Sequence, residues 1–416
     1  MTPFGYTVLG FGSGVSAGEV PIAEDLTYSA TDTGVVTQAS HSIAMCPYNA
    51  NKCLVMYAAQ DADGHVASGT IDGDTITWGT IVEFSDKDSQ AGYCAFDPST
   101  ENSFVVVWRD SWSAGGGAGR AHAAAAGTLS GTAITIGSKV DIATSGTLEY
   151  VLETNCMFNP NRAGQVVSLS PNADNTTRSG AAEVKSLTVS GTGISLDEMS
   201  VVHTTDTTRQ CELAWDMEDS DQFFMMYVGS GDYNYVRPAT VAADGTFTLG
   251  TEHTLDSAGG AQVLQCIASD WNNAGRIVVT YGKSGRRYVY ARVGNLSGGT
   301  ITWGTEVELD DVGGGGEYIN ASTVQMDKNT PNKFLVLWDE ETAGDALTAV
   351  VGTISGTNTI TLGTPVTSVM SGNAWKRVRS CARDPFNPGR FFSAIVDSQD
   401  SEQLHIIGHQ VASTEL

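Results

Sequence analysis

Apolar and polar residues follow two rhythms along this chain. In the first, apolar side chains alternate with small polar ones, as in Ile76/Trp78, Ile134/Ile136, Phe247/Leu249, Ile301/Trp303 and Ile360/Leu362. Period two predicts a strand with one buried face. Each such strand follows a glycine turn preceded by another β-rich stretch, so each phrase predicts a hairpin whose glycine supplies the positive φ of a tight turn. In the second rhythm apolar residues run unbroken, as in Phe104–Trp108 and Phe334–Trp338. Such runs predict strands covered on both faces.

The hairpin phrase recurs. It reads GTIDGDTITWGT from Gly69, GTLSGTAITIGS from Gly127, LTVSGTGISLDE from Leu187, TVAADGTFTLGT from Thr240, GNLSGGTITWGT from Gly294 and GTISGTNTITLGT from Gly352. Its turn glycines, Gly73, Gly131, Gly191, Gly245, Gly298 and Gly356, lie 53 to 60 residues apart. Between the hairpins a second phrase opens on cysteine, turns, and enters the unbroken apolar run. Its first residues are Cys46, Cys94, Cys156, Cys211, Cys266, Val324 in place of cysteine, and Cys381. Each unit therefore holds four strands, A to D, and units of this length arrayed radially are propeller blades. Seven A and B strands stand against six complete C–D hairpins, the seventh unit stopping at strand C near Ile406–Val411. The missing strand is expected from the N-terminus, within Val15–Leu26, which closes the ring and removes open sheet edges. The expected fold is all-β: a seven-bladed β-propeller of four-stranded antiparallel blades. Residues 18–416 form this single domain, and residues 1–17 form an N-terminal arm available for docking.

Composition narrows the partners. The chain has 416 residues, with 22 Lys+Arg against 47 Asp+Glu and a formal charge of −25. An acidic surface excludes nucleic acid and anionic lipid, and no apolar run is long enough to span a bilayer. Met1–Tyr6 lacks the basic and apolar regions of a signal peptide,. Seven cysteines are too few for a disulfide framework,. Six of them recur at one blade position and are expected to be small buried packing residues. Metal ligation is not expected. His405 and His409 would lie about 13 Å apart along a strand, and Asp61-Ala62-Asp63-Gly64 carries only part of a calcium loop,. Further acidic loops are expected at Asp339-Glu340-Glu341 and at Asp397, Asp400 and Glu402. No cofactor is expected.

Basic residues are scarce, so their clusters are informative. Lys376, Arg377, Arg379, Arg383 and Arg390 fall within 15 residues, and Arg377, Arg379 and Arg383 share a parity on the seventh A strand. Arg286, Arg287 and Arg292 gather near the B–C turn of the fifth blade. These positions suit contact with an anion or acidic sugar at the ring mouth, or internal neutralisation of an acidic protein. Aromatic residues that end the B strands, Tyr57, Trp108, Tyr227, Tyr281 and Trp338, are expected in the core. Trp112, in the glycine-rich loop Trp108–Arg120, is the better ligand candidate. The candidate ligand-binding residues are therefore Trp112, Arg286, Arg287, Arg377 and Arg379, with no catalytic residue assigned. A sialidase-type enzyme would need an arginine triad and a Tyr/Glu nucleophile pair, and only Asp72–Trp78 remotely approaches an Asp box. No Gly-x-Ser-x-Gly elbow or phosphate loop occurs.

The Gly-Thr-Ile-Ser-Gly-x-x-Ile-Thr-[Trp/Leu]-Gly-Thr phrase resembles one in repeat proteins of tailed bacteriophages, where it occurs in propellers of tail-fibre and other virion structural proteins. The resemblance spans about residues 40–410 and carries no site residues. It implies a non-enzymatic virion component, assembled in the host cytoplasm, that oligomerises in the particle. It further implies docking to other virion subunits through the N-terminal arm and contact with host-surface carbohydrate. The alternatives are a sialidase-like glycan-processing enzyme and a soluble lectin.

Overall fold

A computed structural model describes residues 22–27, 41–59, 63–72, 75–86, 88–112, 119–144, 154–173, 180–203, 211–219, 221–229, 233–255, 265–283, 288–311, 318–341, 347–367, 376–397 and 403–411. These residues form seven antiparallel sheets, each a blade in the order A-B-C-D with strand D broken in two in four of them, and none of the residues is helical. Strand A of blades 1 to 7 is, in turn, His41–Met45, Asp88–Phe96, Asn155–Phe158, Cys211–Trp215, Cys266–Ser269, Tyr318–Met326 and Lys376–Arg383.

The closing strand is Ile22–Thr27. It pairs with strand C of blade 7, Gln403–Gln410, in the register Ile22↔His409 to Thr27↔His405. The N-terminal segment thus supplies the outermost strand of the last blade, at the end of the expected stretch and one residue beyond it.

Packing explains both sequence rhythms. Strand B lies between A and C, and its side chains meet the blades on either side. Phe104–Trp108 and Phe334–Trp338 are buried throughout. Strand D is outermost and alternates: Ile134, Ile301 and Ile360 are buried, while their threonine neighbours are exposed. Seven apolar clusters hold the ring, each built from the facing sides of two adjacent blades. One joins Ile43, Val55 and Ala67 of blade 1 to Phe392, Ala394 and Ile406 of blade 7, so the last joint is packed like the others.

Strand direction divides the ring into two faces. The A–B and C–D turns lie on one, here the turn face. The B–C connections and the links from D to the next A lie on the other, the loop face.

The A–B turn is the true register mark. Its first residue donates its backbone N–H to the carbonyl of the residue that opens strand B. That residue is Cys46, Asp97, Asn159, Asp216, Asp270, Asp327 or Asp384. The cysteines therefore do not share one blade position. Cys94, Cys156 and Cys381 lie three residues before this mark, level with Val324, but Cys266 lies four before, Cys211 five before, and Cys46 is the mark itself. All seven are buried free thiols, as a packing role requires. For Cys53 and Cys266 burial pushes the thiol up to about 12.

Candidate functional site

The strands that carry or flank the five sequence candidates meet the loop face. Trp112 ends strand B of blade 2, Ser103–Trp112. Arg286 and Arg287 lie in the B–C connection between Arg276–Lys283 and Tyr288–Ser297, outside the described residues. Arg377 and Arg379 lie in the loop-face half of strand A of blade 7. The side chains of Trp112, Arg377 and Arg379 are also outside the described set. One expectation fails here. The register shifts between Val378 and Ser380, so Arg379 is the extra residue of a β-bulge. That bulge breaks the parity that Arg377 and Arg379 were expected to share with Arg383.

The aromatic ends of the B strands are core, as expected: Tyr57, Trp108, Tyr227, Tyr281 and Trp338 are all buried. The polar atoms of three of them meet carboxylates at the blade edges. Tyr227 Oη donates to Glu252, Tyr281 Oη donates to Glu306, and Trp338 Nε1 donates to Asp310 Oδ2 at 2.9 Å. His203 Nδ1 also lies 3.0 Å from Glu252. A Tyr–Glu pair is what a sialidase-type nucleophile needs, but here it is repeated in two successive blades. Burial followed by the neighbouring glutamate holds the Tyr227 phenol well above its ordinary value, which suits a hydrogen-bond donor and opposes a nucleophile. The acidic stretch at Asp339 is likewise no loop: Asp339 is a buried residue of strand B, Lys333–Glu341.

The arrangement that the sequence did not reveal is in the channel. Counting from the A–B turn mark, the residue just before it is Met45, Phe96, Phe158, Trp215, Ser269, Met326 or Arg383. The residue just after it is Pro47, Pro98, Pro160, Met217, Trp271, Lys328 or Pro385. Most of these two tiers surround a cavity of about 210 Å³ at the turn-face end of the channel. Arg383 is the one charge in its tier. Its guanidinium sits 3.8 Å from the Trp271 ring centroid, with Lys328 Nζ 5.1 Å from the same ring, a favourable cation–π arrangement. Arg383 Nη1 is buried and has no hydrogen-bond partner. Burial brings the guanidinium down to about 10, against the pull of Asp327 and Asp384.

Four residues before the mark lies a second tier: Ser42, Tyr93, Asn155, Glu212, Cys266, Thr323 and Ser380. It borders a smaller cavity of about 70 Å³ that shares Tyr93, Met157, Trp215, Met217, Trp271 and Gln325 with the first. Glu212 is the one charged group of this tier. Burial pushes its carboxyl up to about 8, although Asn155 Nδ2 donates to Oε2 at 2.5 Å, so near neutral pH it is largely a neutral acid. Each of the two tiers before the mark thus carries one acidic or basic side chain that breaks the seven-fold pattern. Among the described residues, no group of three or more His, Cys, Asp or Glu is placed to hold a metal ion.

No family model and no curated protein matches this chain. Solved structures share its architecture. A lectin from Burkholderia pseudomallei is 12% identical over 91% of this chain and 97% of its own, with a TM-score of 0.63. A chain of the mitotic checkpoint complex is 13% identical over 97% and 98%, with a TM-score of 0.54. An α-L-arabinofuranosidase from Fusarium graminearum is 10% identical over 83% and 98%, with a TM-score of 0.49. At such identities the likeness is one of fold, and it extends to the ring, not to a virion role.

Proposed function

We propose that this chain is a non-enzymatic binding propeller, a tail-fibre or appendage component of a tailed-phage virion whose loop face contacts host-surface carbohydrate. One observation carries the reading. Strands Ser103–Trp112 and Lys376–Arg383, and the pair Arg276–Lys283 and Tyr288–Ser297 on either side of Arg286 and Arg287, come from separate stretches of sequence and all meet the loop face of one ring. An aromatic ring and several guanidinium groups suit an acidic sugar, whose carboxylate takes a bidentate arginine and whose ring takes an aromatic face.

Two further features support it. The Tyr–Glu pairs that would serve a glycosidase are duplicated in two successive blades, with their tyrosines buried, which favours binding over turnover. The closing strand is the outermost strand of blade 7, so the preceding residues join the ring at its rim. In this reading the arm of residues 1–17 is the part that docks to a neighbouring virion subunit.

Two measurements test the reading. Mass spectrometry of purified particles should detect the chain, and its absence from them overturns the virion assignment. A glycan array should give signal on acidic glycans that falls at least tenfold in an Arg286→Ala/Arg287→Ala double variant and in Trp112→Ala. Equal signal from all three proteins removes the loop-face assignment, and release of free sugar from the array restores the enzyme.

A further inference from the structure

We propose that the turn-face end of the channel is a separate binding site, for a small organic acid with a compact apolar body and a single carboxylate. The site opens on the face opposite the proposed carbohydrate contacts. It is built from residues the glycan reading does not use.

Size and lining set the body of the ligand. A buried apolar cavity of roughly 150 Å³ is enough for benzene, and this one is about 210 Å³ and shares part of its lining with the smaller cavity. Trp215, Trp271, Phe158 and Met45 face it from four blades. These flat and adaptable side chains suit an aromatic or branched aliphatic body. A sugar would leave its hydroxyls against apolar walls with few partners.

Arg383 sets the head. Its Nη1 is buried beside the cavity without a hydrogen-bond partner, an arrangement that costs free energy until an acceptor arrives. A planar fork lying against Trp271 matches a carboxylate in two parallel hydrogen bonds,. The surrounding acids limit that head to one negative charge. Asp327 and Asp384 both act on Arg383, yet their oxygens are already occupied. Asp327 accepts from Asn329 N and Gly389 N, and Asp384 from Phe386 N, Asn387 N and Asn387 Nδ2. Neither accepts from the buried Nη1 of Arg383, but both would repel a doubly charged phosphate,.

Calorimetric titration of the full chain at pH 7 with naphthalene-2-carboxylate, its neutral analogue 2-naphthalenemethanol, and D-glucuronate tests the site. The naphthoate should bind at least tenfold more tightly than either of the others. Arg383→Gln should lose that tenfold preference while its melting temperature stays near that of the parent, and Arg383→Lys, which keeps charge but not the fork, should fall between. If Arg383→Gln fails to fold, the comparison of naphthoate with its alcohol on the unaltered chain decides alone. Equal binding of acid and alcohol, or no naphthoate binding, overturns the proposal. Glucuronate binding as tight as naphthoate overturns the apolar body. Loss of the loop-face glycan signal leaves the proposal standing.

Discussion

The backbone N–H of Gly389 in blade 7 donates to Oδ2 of Asp327 in blade 6 at 2.9 Å, while Oδ1 of the same carboxylate accepts Asn329 N and closes its own A–B turn. Asp97 binds Gly164 at 2.8 Å and Asp216 binds Gly275 at 2.6 Å in the same way. The even blades thus clasp the odd blades that follow. At two of the intervening joints an arginine at the start of strand B answers: Arg276 reaches Asn332 Oδ1, and Arg390 Nη1 reaches Asn51 Oδ1 at 3.3 Å. The ring is held by apolar joints and by polar clasps at its turn face.

Asp327→Ala removes the acceptor of a buried amide and opens the turn. An unsatisfied buried donor plus a lost turn bond costs about 2–3 kcal/mol, read as a lower urea midpoint with an unchanged slope. Glu218→Ala, an exposed neighbour of the equivalent turn in blade 4, should stay within about 0.5 kcal/mol of the parent.

Gly389 and Gly131 separate strain from crowding. Both have left-handed backbones, with φ of +68° and +65°, but a Cβ on Gly389 would meet the Val411 carbonyl oxygen at 2.6 Å, whereas one on Gly131 meets nothing within 4 Å. Gly131→Ala should cost about 1 kcal/mol. Gly389→Ala should cost at least twice as much, and equal melting temperatures for the two variants would show that the clasp yields.

Glu212 gives the fold a pH dependence. Its folded carboxyl lies at about 8 against 4.5 for the ordinary group, so the folded state holds a proton that the unfolded state releases. Stability from this group is complete below about pH 4.5 and declines as pH rises toward about 8,. Glu212→Gln keeps the shape and loses the titration. Its advantage over the parent should grow from near zero at pH 5 to on the order of 3 kcal/mol at pH 9, checked by melting curves across that range. Parallel curves would show that the channel solvates the carboxylate.

Truncation tests the closing strand. Removing residues 1–17 should leave the melting temperature unchanged. Removing residues 1–27 takes away Ile22–Thr27, its pairing with Gln403–Gln410 and the protection of that edge,. The shorter chain should melt at least 5 °C lower and elute from size exclusion as larger species.

Hairpin grammar determined the architecture before any coordinate was known. Glycine turns, Thr-alternating outer strands and unbroken apolar inner strands are local signals, because each strand's exposure is written in its own period. Their count fixed the blades, and the missing hairpin required an N-terminal strand. The channel was less legible. Arg383 stood out as part of a basic cluster, but the bulge at Arg379 changes which residues of that strand share a side, and a bulge leaves no mark in composition. Glu212 drew no notice, since its singularity shows only when the seven A strands are aligned on the Asp97, Asp216 and Asp327 turns. The cysteines offered a false register in its place. Tertiary structure alone decided which seven side chains meet around the axis, because residues more than fifty positions apart become neighbours only once the ring has closed. The same closure gives those two groups their chemistry: the joints exclude water around Glu212 and Arg383, and burial, not sequence, shifts their protons.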